Sequence, residues 1–148
     1  MSLQENVNEQ LKAAMKAKDT VALESLRAIK TAIMMTQTQA GAKELTSDDE
    51  IKLVQKLVKQ RKDSAEIFYQ QGRVDLAEPE EAQIKIIEQF LPEQLDEAAI
   101  TEIVAAIIAK TGAAGMQDMG KVMGMASKEM AGKADGKTIS SIVRQKLS

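Results

Sequence analysis

The chain has 148 residues, 28% of them charged, and a net charge of −2, enough length for one domain or two small helical ones. It contains no Cys and no His, which excludes disulfides, thiolate or histidine metal sites, and nucleophilic triads that need a histidine base. Aromatics make up 2% against nine Met, so the core must be built from Leu, Ile, Val, Ala and Met, a palette that favours helices.

Hydrophobic period and punctuation predict seven helices. The first carries Leu3, Val7, Leu11 and Met15 on one face and ends near Ala17. Asp19 is the expected N-cap of the second, whose stripe is Ala22, Leu26, Ile29 and Ile33. The polar run Thr36-Gln37-Thr38-Gln39-Ala40-Gly41 then reads as a loop. Ser47-Asp48-Asp49-Glu50 has the spacing of a capping box for a third helix, with Ile51, Val54, Val58, Ala65 and Phe68 inside and a stop at Gly72. A fourth is expected from Glu78-Pro79-Glu80-Glu81, where proline costs no hydrogen bond and acids suit the positive end of the helix dipole. Its apolar side is Ala82, Ile86, Ile87 and Phe90.

Leu91-Pro92 interrupts the pattern, because the residue before proline is disfavoured in helical geometry. Asp96 opens the fifth helix, with Ile100, Ile103, Val104 and Ile107. The sixth carries Met116, Met119, Val122, Met123 and Met130, and the seventh starts at Asp135-Gly136 with Ile139, Ile142, Val143 and Leu147. The expected fold is all-α, with an N-terminal helical domain over 1–92 and a small C-terminal three-helix bundle over 93–148. The N-terminus lacks the basic start and apolar centre of a secretory signal, and no run approaches the roughly 18 apolar residues of a membrane span. A cytoplasmic protein without membrane contact is expected.

Charge changes along the chain: residues 1–109 hold 13 basic and 19 acidic residues, a net of −6, while residues 110–148 carry a net of +4. An acidic front and a basic back joined at Leu91-Pro92 suggest two modules. Lys121, Lys128, Lys133, Lys137, Arg144 and Lys146 are the candidate RNA-binding residues, since nucleic acid is bound first through its phosphates. No Trp, Tyr or Phe lies in that tail, so backbone and shape recognition of a folded RNA is expected rather than base stacking. Gly120 and Gly124 each weaken a helix by about 1 kcal/mol relative to Ala. They admit either a neighbouring helix or a partner's backbone, and Gly136 joins them as a candidate close-packing or contact glycine. Asp135-Gly136-Lys137-Thr138 reads as a capped helix start or an anion site. Lys52, Lys56, Lys59 and Lys62 form a helix face, either solvated or a second contact surface. Glu78, Glu80, Glu81 and Glu88 are better explained by the dipole than by acid–base work, and no catalytic residues, metal site or cofactor are expected.

Arg61-Lys62-Asp63-Ser64, Gly72-Arg73-Val74-Asp75-Leu76-Ala77-Glu78 and Phe90-Leu91-Pro92-Glu93-Gln94-Leu95 closely resemble the YqeY-like proteins of the GatB/YqeY family. Asp118-Met119-Gly120-Lys121-Val122-Met123-Gly124, with Ala134-Asp135-Gly136-Lys137, resembles the C-terminal signature of that family. The resemblance implies an all-helical fold and a tRNA-binding accessory role. A related domain forms the tail of the B subunit of the glutamine-dependent aminoacyl-tRNA amidotransferase, and others are appended to some glutaminyl-tRNA synthetases. The expected partners are therefore tRNA and a synthetase or amidotransferase. Carbon–nitrogen ligase activity with glutamine as amide donor is the family-level alternative, although the chain lacks a counterpart of the catalytic body. The Met-rich sixth helix motivates another alternative, a protein-interaction adaptor without RNA contact.

Overall fold

The computed structural model describes residues 2–39, 41 and 44–148, and every regular element among them is helical. The fold is all-α. Seven α-helices follow in order among these residues: α1 (Leu3–Ala17), α2 (Thr20–Gln39), α3 (Ser47–Gln70), α4 (Val74–Ile87), α5 (Glu97–Thr111), α6 (Met119–Glu129) and α7 (Gly136–Leu147). Short 3₁₀ turns at Glu88–Phe90 and Met116–Asp118 extend α4 and lead into α6.

Caps fix most helix starts. Asp19, Asp96 and Asp135 each accept the N–H three residues on, at 3.1, 2.8 and 2.7 Å. The capping box of α3 lies one residue earlier than its spacing predicts: Thr46 Oγ1 accepts from Asp49 N, and Asp49 Oδ2 accepts from Thr46 N. Glu50 is thereby released to accept from the Leu3 N–H at 3.2 Å, tying the starts of α1 and α3 together.

Three expectations are corrected. Helix α2 runs to Gln39, through residues expected in a loop, because the Thr36 and Thr38 hydroxyls satisfy themselves on the Ala32 and Met34 carbonyls at 2.8 Å. The Ala40 part of that expectation lies outside the described residues. In α1, Ala14 is buried and Met15 is 53% exposed, since repeated four-residue steps drift off a 3.6-residue period. Helix α4 begins at Val74, four residues before the expected start, after Gly72 takes the left-handed φ of 71°. Arg73 holds this earlier turn: its carbonyl accepts from Leu76 and Ala77, and its guanidinium donates twice to Asp75 at 3.0 and 2.9 Å. Pro79 consequently sits inside the helix, and Glu78, Glu80 and Glu81 lie beyond the reach of the N-terminal dipole.

The chain divides into two compact units, Met1–Leu91 and Pro92–Ser148. In the first, α2 contacts α1, α3 and α4, and its Leu26, Ile29 and Ile33 lie buried with Val7, Val54 and Ile87. The second is a three-helix bundle in which α5, α6 and α7 touch pairwise around Val104, Val122, Ala126, Met130 and Val143. The two cores share no residue. No single helix among the described residues is long and apolar enough to cross a membrane.

The α3 capping box has a pH signature. Hydrogen bonds from the Thr46 backbone and then its side chain hold the Asp49 carboxyl below its usual value of 3.8. A lowered folded value means that its contribution is present above pH 3.8 and is lost as pH falls through that lower value. An NMR titration will show the Thr46 and Asp49 amides moving together in this acid range, and Asp49→Ala will abolish the coupled step.

Candidate nucleic-acid interface

Helix α6 has two sharply different faces. Val122, Ala126 and, just beyond the helix end, Met130 are fully buried, with Met119 and Met123 half-buried beside them. The opposite face carries Gly120, Lys121, Gly124 and Lys128, all exposed, at spacings that align them along the helix. A Cβ placed on Gly120 or Gly124 would meet nothing within 4 Å. Among the described residues no helix packs against them. Of the methionines in and beside this helix, Met130 is in the core, Met119, Met123 and Met125 pack against it, and Met116 is 44% exposed.

The loop from α6 to α7 is held by a segment whose role the sequence did not disclose. Gln94 Nε2 donates to the Pro92 and Gly132 carbonyls at 2.7 and 2.8 Å, and the Leu95 N–H donates to the Lys133 carbonyl at 2.8 Å. Gly132 is buried at a φ of 78°, a conformation that suits glycine. The lead-in to α5 thus pins the backbone that presents Lys133, whose side chain is exposed.

In α7 the Asp135 carboxylate takes the Thr138 N–H at 2.7 Å, which fills the place an anion would occupy. Gly136 is the first residue of the helix, and a Cβ there would also meet nothing within 4 Å. Lys137 and Arg144 are exposed on the same side of α7, opposite the buried Ile139, Ile142 and Val143. Lys146 falls instead on the core-facing side, in the last turn, and is exposed there. The six candidates are all exposed, in three settings: Lys121 and Lys128 on α6, Lys133 in the loop, and the remaining three on α7.

The expected acidic front and basic back are corrected too. The charge step near residue 110 falls within the C-terminal unit, not at its boundary. Residues 92–148 hold seven basic and seven acidic residues, so the bundle is neutral as a whole. Its polarity is internal: Glu93, Asp96, Glu97 and Glu102 lie on or before α5, while the cations concentrate on α6, α7 and their loop.

Elsewhere, Lys52, Lys56, Lys59 and Lys62 are exposed along α3, and Lys62 Nζ lies 3.8 Å from Glu88. Ser25 is the one polar residue buried among the described residues, its hydroxyl donating to the Val21 carbonyl at 2.8 Å. None of Glu78, Glu80, Glu81 and Glu88 is buried in the apolar pocket that a general acid requires. Among the described residues no group of three or more His, Cys, Asp or Glu is arranged to hold a metal ion.

Fold and surface define an all-helical protein of two separately cored units whose ionisable side chains, among the described residues, stay at or near the surface. The chain belongs to the YqeY-like family: residues 4–147 match the family described as Yqey-like protein. It is 38% identical over 102 residues to Altered inheritance of mitochondria protein 41, mitochondrial, from Lachancea thermotolerans, covering 69% of this chain and 54% of that protein. It is 32% identical over 127 residues to the protein of the same name from Pyrenophora tritici-repentis, covering 84% and 68%. It is also 32% identical over 105 residues to a glutamyl-tRNA(Gln) amidotransferase component from Thermococcus gammatolerans, covering 68% of this chain and 17% of that protein. The chain spans about half the length of the first curated relatives it matches.

These names overturn the cytoplasmic expectation, because the Lachancea and Pyrenophora relatives are named as mitochondrial proteins.

The Gln94 clamp gives a direct test. Gln94→Ala should lower the urea-unfolding free energy of the C-terminal unit by about 1 kcal/mol. It should also speed hydrogen exchange at Leu95 N, whose acceptor is the Lys133 carbonyl. Unchanged exchange at Leu95 would show that the side chain does not hold the loop.

Proposed function

We propose that this protein is a tRNA-binding accessory factor that contacts the sugar–phosphate backbone through the exposed face of α6 and the basic side chains of the following loop and α7. The observation that carries the reading is the open Gly120–Gly124 face flanked by Lys121 and Lys128. Exposed glycines in a helix cost about 1 kcal/mol each relative to Ala, and among the described residues no packing compensates for that cost. A partner that must approach the helix backbone closely supplies a compensating interaction, and the neighbouring ammonium groups suit phosphates. Lys133, Lys137 and Arg144 extend the cationic surface, whereas Lys146 is expected to contribute least.

Membership of the YqeY-like family and likeness to a protein named as part of a glutamyl-tRNA(Gln) amidotransferase support a tRNA-related partner. The lack of aromatic residues in 92–148 favours backbone recognition over base stacking. A synthetase or amidotransferase bound to the same tRNA would supply any chemistry that follows. The bundle's neutrality implies moderate affinity with a pronounced dependence on salt, because α5 sets Glu97 and Glu102 against Lys110 alone.

Filter binding of bulk tRNA to the full chain at low salt tests this. Lys121→Glu with Lys128→Glu should weaken binding by about tenfold or more and reduce the log–log salt slope by about 2. Gly120→Ala with Gly124→Ala should raise stability by about 1–2 kcal/mol while weakening tRNA binding. Loss of affinity in a more stable protein separates a contact role from a folding role. Wild-type binding by both double variants would reject the interface.

A further inference from the structure

The N-terminal unit carries a second kind of surface, unrelated to the basic face of α6. Between the C-terminal half of α3 and the middle of α4 lies a cleft of about 360 Å³. Its apolar floor includes the buried Ala65 and Ile84, and its walls are Lys62, Glu66, Tyr69, Gln70 and Glu81. The Tyr69 hydroxyl donates to Glu81 Oε2 at 2.8 Å, fixing the ring beside the carboxylate although the side chain is 43% exposed. Around the same hairpin end Ile67, Val74 and Leu76 are 52%, 48% and 38% exposed.

Charge identifies the occupant. Residues 61–91 hold four basic and seven acidic side chains. Three of those four cations are already engaged: Lys62 lies 3.8 Å from Glu88, Arg73 is forked onto Asp75, and Arg61 donates to Gln83 and to the Leu57 carbonyl. The lining itself sets two carboxylates, Glu66 and Glu81, against the one ammonium of Lys62, and Glu78 is near enough to act on the phenol with Glu81. The field is visible in Tyr69, whose pKa is raised above its usual 10.0 by the hydrogen bond to Glu81, then by burial and by the charges of Glu81 and Glu78. An aromatic ring beside carboxylates over an apolar floor suits a guanidinium, which stacks on the ring while donating to the acids.

We propose that this α3–α4 cleft docks an arginine-bearing segment of a partner protein, the guanidinium seated against Tyr69 and Glu81 and its methylene stem lying on the floor of Ala65 and Ile84. The cleft admits the side chain, an arrangement in which Tyr and Arg anchors carry most of the binding. The surface belongs to the first unit and is independent of the tRNA reading, so either can fail alone.

The sole tyrosine, in a chain without tryptophan, is a built-in fluorescent reporter. The full chain is titrated with a blocked tetrapeptide alternating arginine and leucine, and with one alternating glutamate and leucine. The basic peptide is expected to change tyrosine emission saturably and to bind about tenfold tighter than the acidic one. Glu81→Gln, an isosteric change at an exposed position, is expected to weaken it about fivefold while circular dichroism stays unchanged. Tyr69→Phe, followed by amide shifts of Gln70 and Ile84, retains binding because the ring face remains. Equal affinity for the two peptides, insensitivity to Glu81→Gln, or equally tight binding of spermidine at the same amides would each overturn the proposal.

Discussion

Burial of one face of α6 sets the geometry on which the proposed interface depends. Val122, Ala126 and Met130 have no accessible surface, and burying side chains of this kind contributes about 1.5–3 kcal/mol for the larger ones. That burial fixes the rotation of the helix about its axis. With these residues inside, Gly120, Lys121, Gly124 and Lys128 must face outward, because helical geometry leaves them on the opposite side. Packing thus produces both halves of the proposed interface, a low backbone surface and the charges flanking it. The Gln94 clamp extends the same order into the loop that presents Lys133.

Fold class and core were largely legible because helical period is a local property. Leu26, Ile29, Ile33, Val104, Ile139 and Val143 all lie inside, where their spacing places them. Caps were legible for the same reason at Asp19, Asp96 and Asp135. The structure departs from local pattern where tertiary or short-range polar contacts override it. The Arg73–Asp75 fork starts α4 before Pro79, and the back-bonded threonines carry α2 through a polar stretch. The role of Gln94 depends on Gly132, far along the chain, and no local signal reveals it.

The candidate surface was legible as a set of residue types but not as a geometry. The sequence identifies two glycines four apart among lysines, yet cannot say whether a helix lies over them. Among the described residues both positions face open space. The basic back of the chain follows sequence order, whereas the structural unit begins with the acidic lead-in to α5. A neutral bundle with segregated charge binds polyanions by orientation, not by net attraction. The α3–α4 cleft went unread because Tyr69 and Glu81 lie on different helices and meet only after the hairpin closes.

The most direct measurement is an amide chemical-shift map of the isotope-labelled full chain titrated with unmodified tRNA. The account predicts that Gly120, Lys121, Gly124 and Lys128 move first and furthest, followed by Lys133 and Arg144, while the amides of Glu97 and Glu102 stay in place. Perturbation confined to α5 or to the N-terminal unit, with the α6 amides unmoved at saturation, would contradict it.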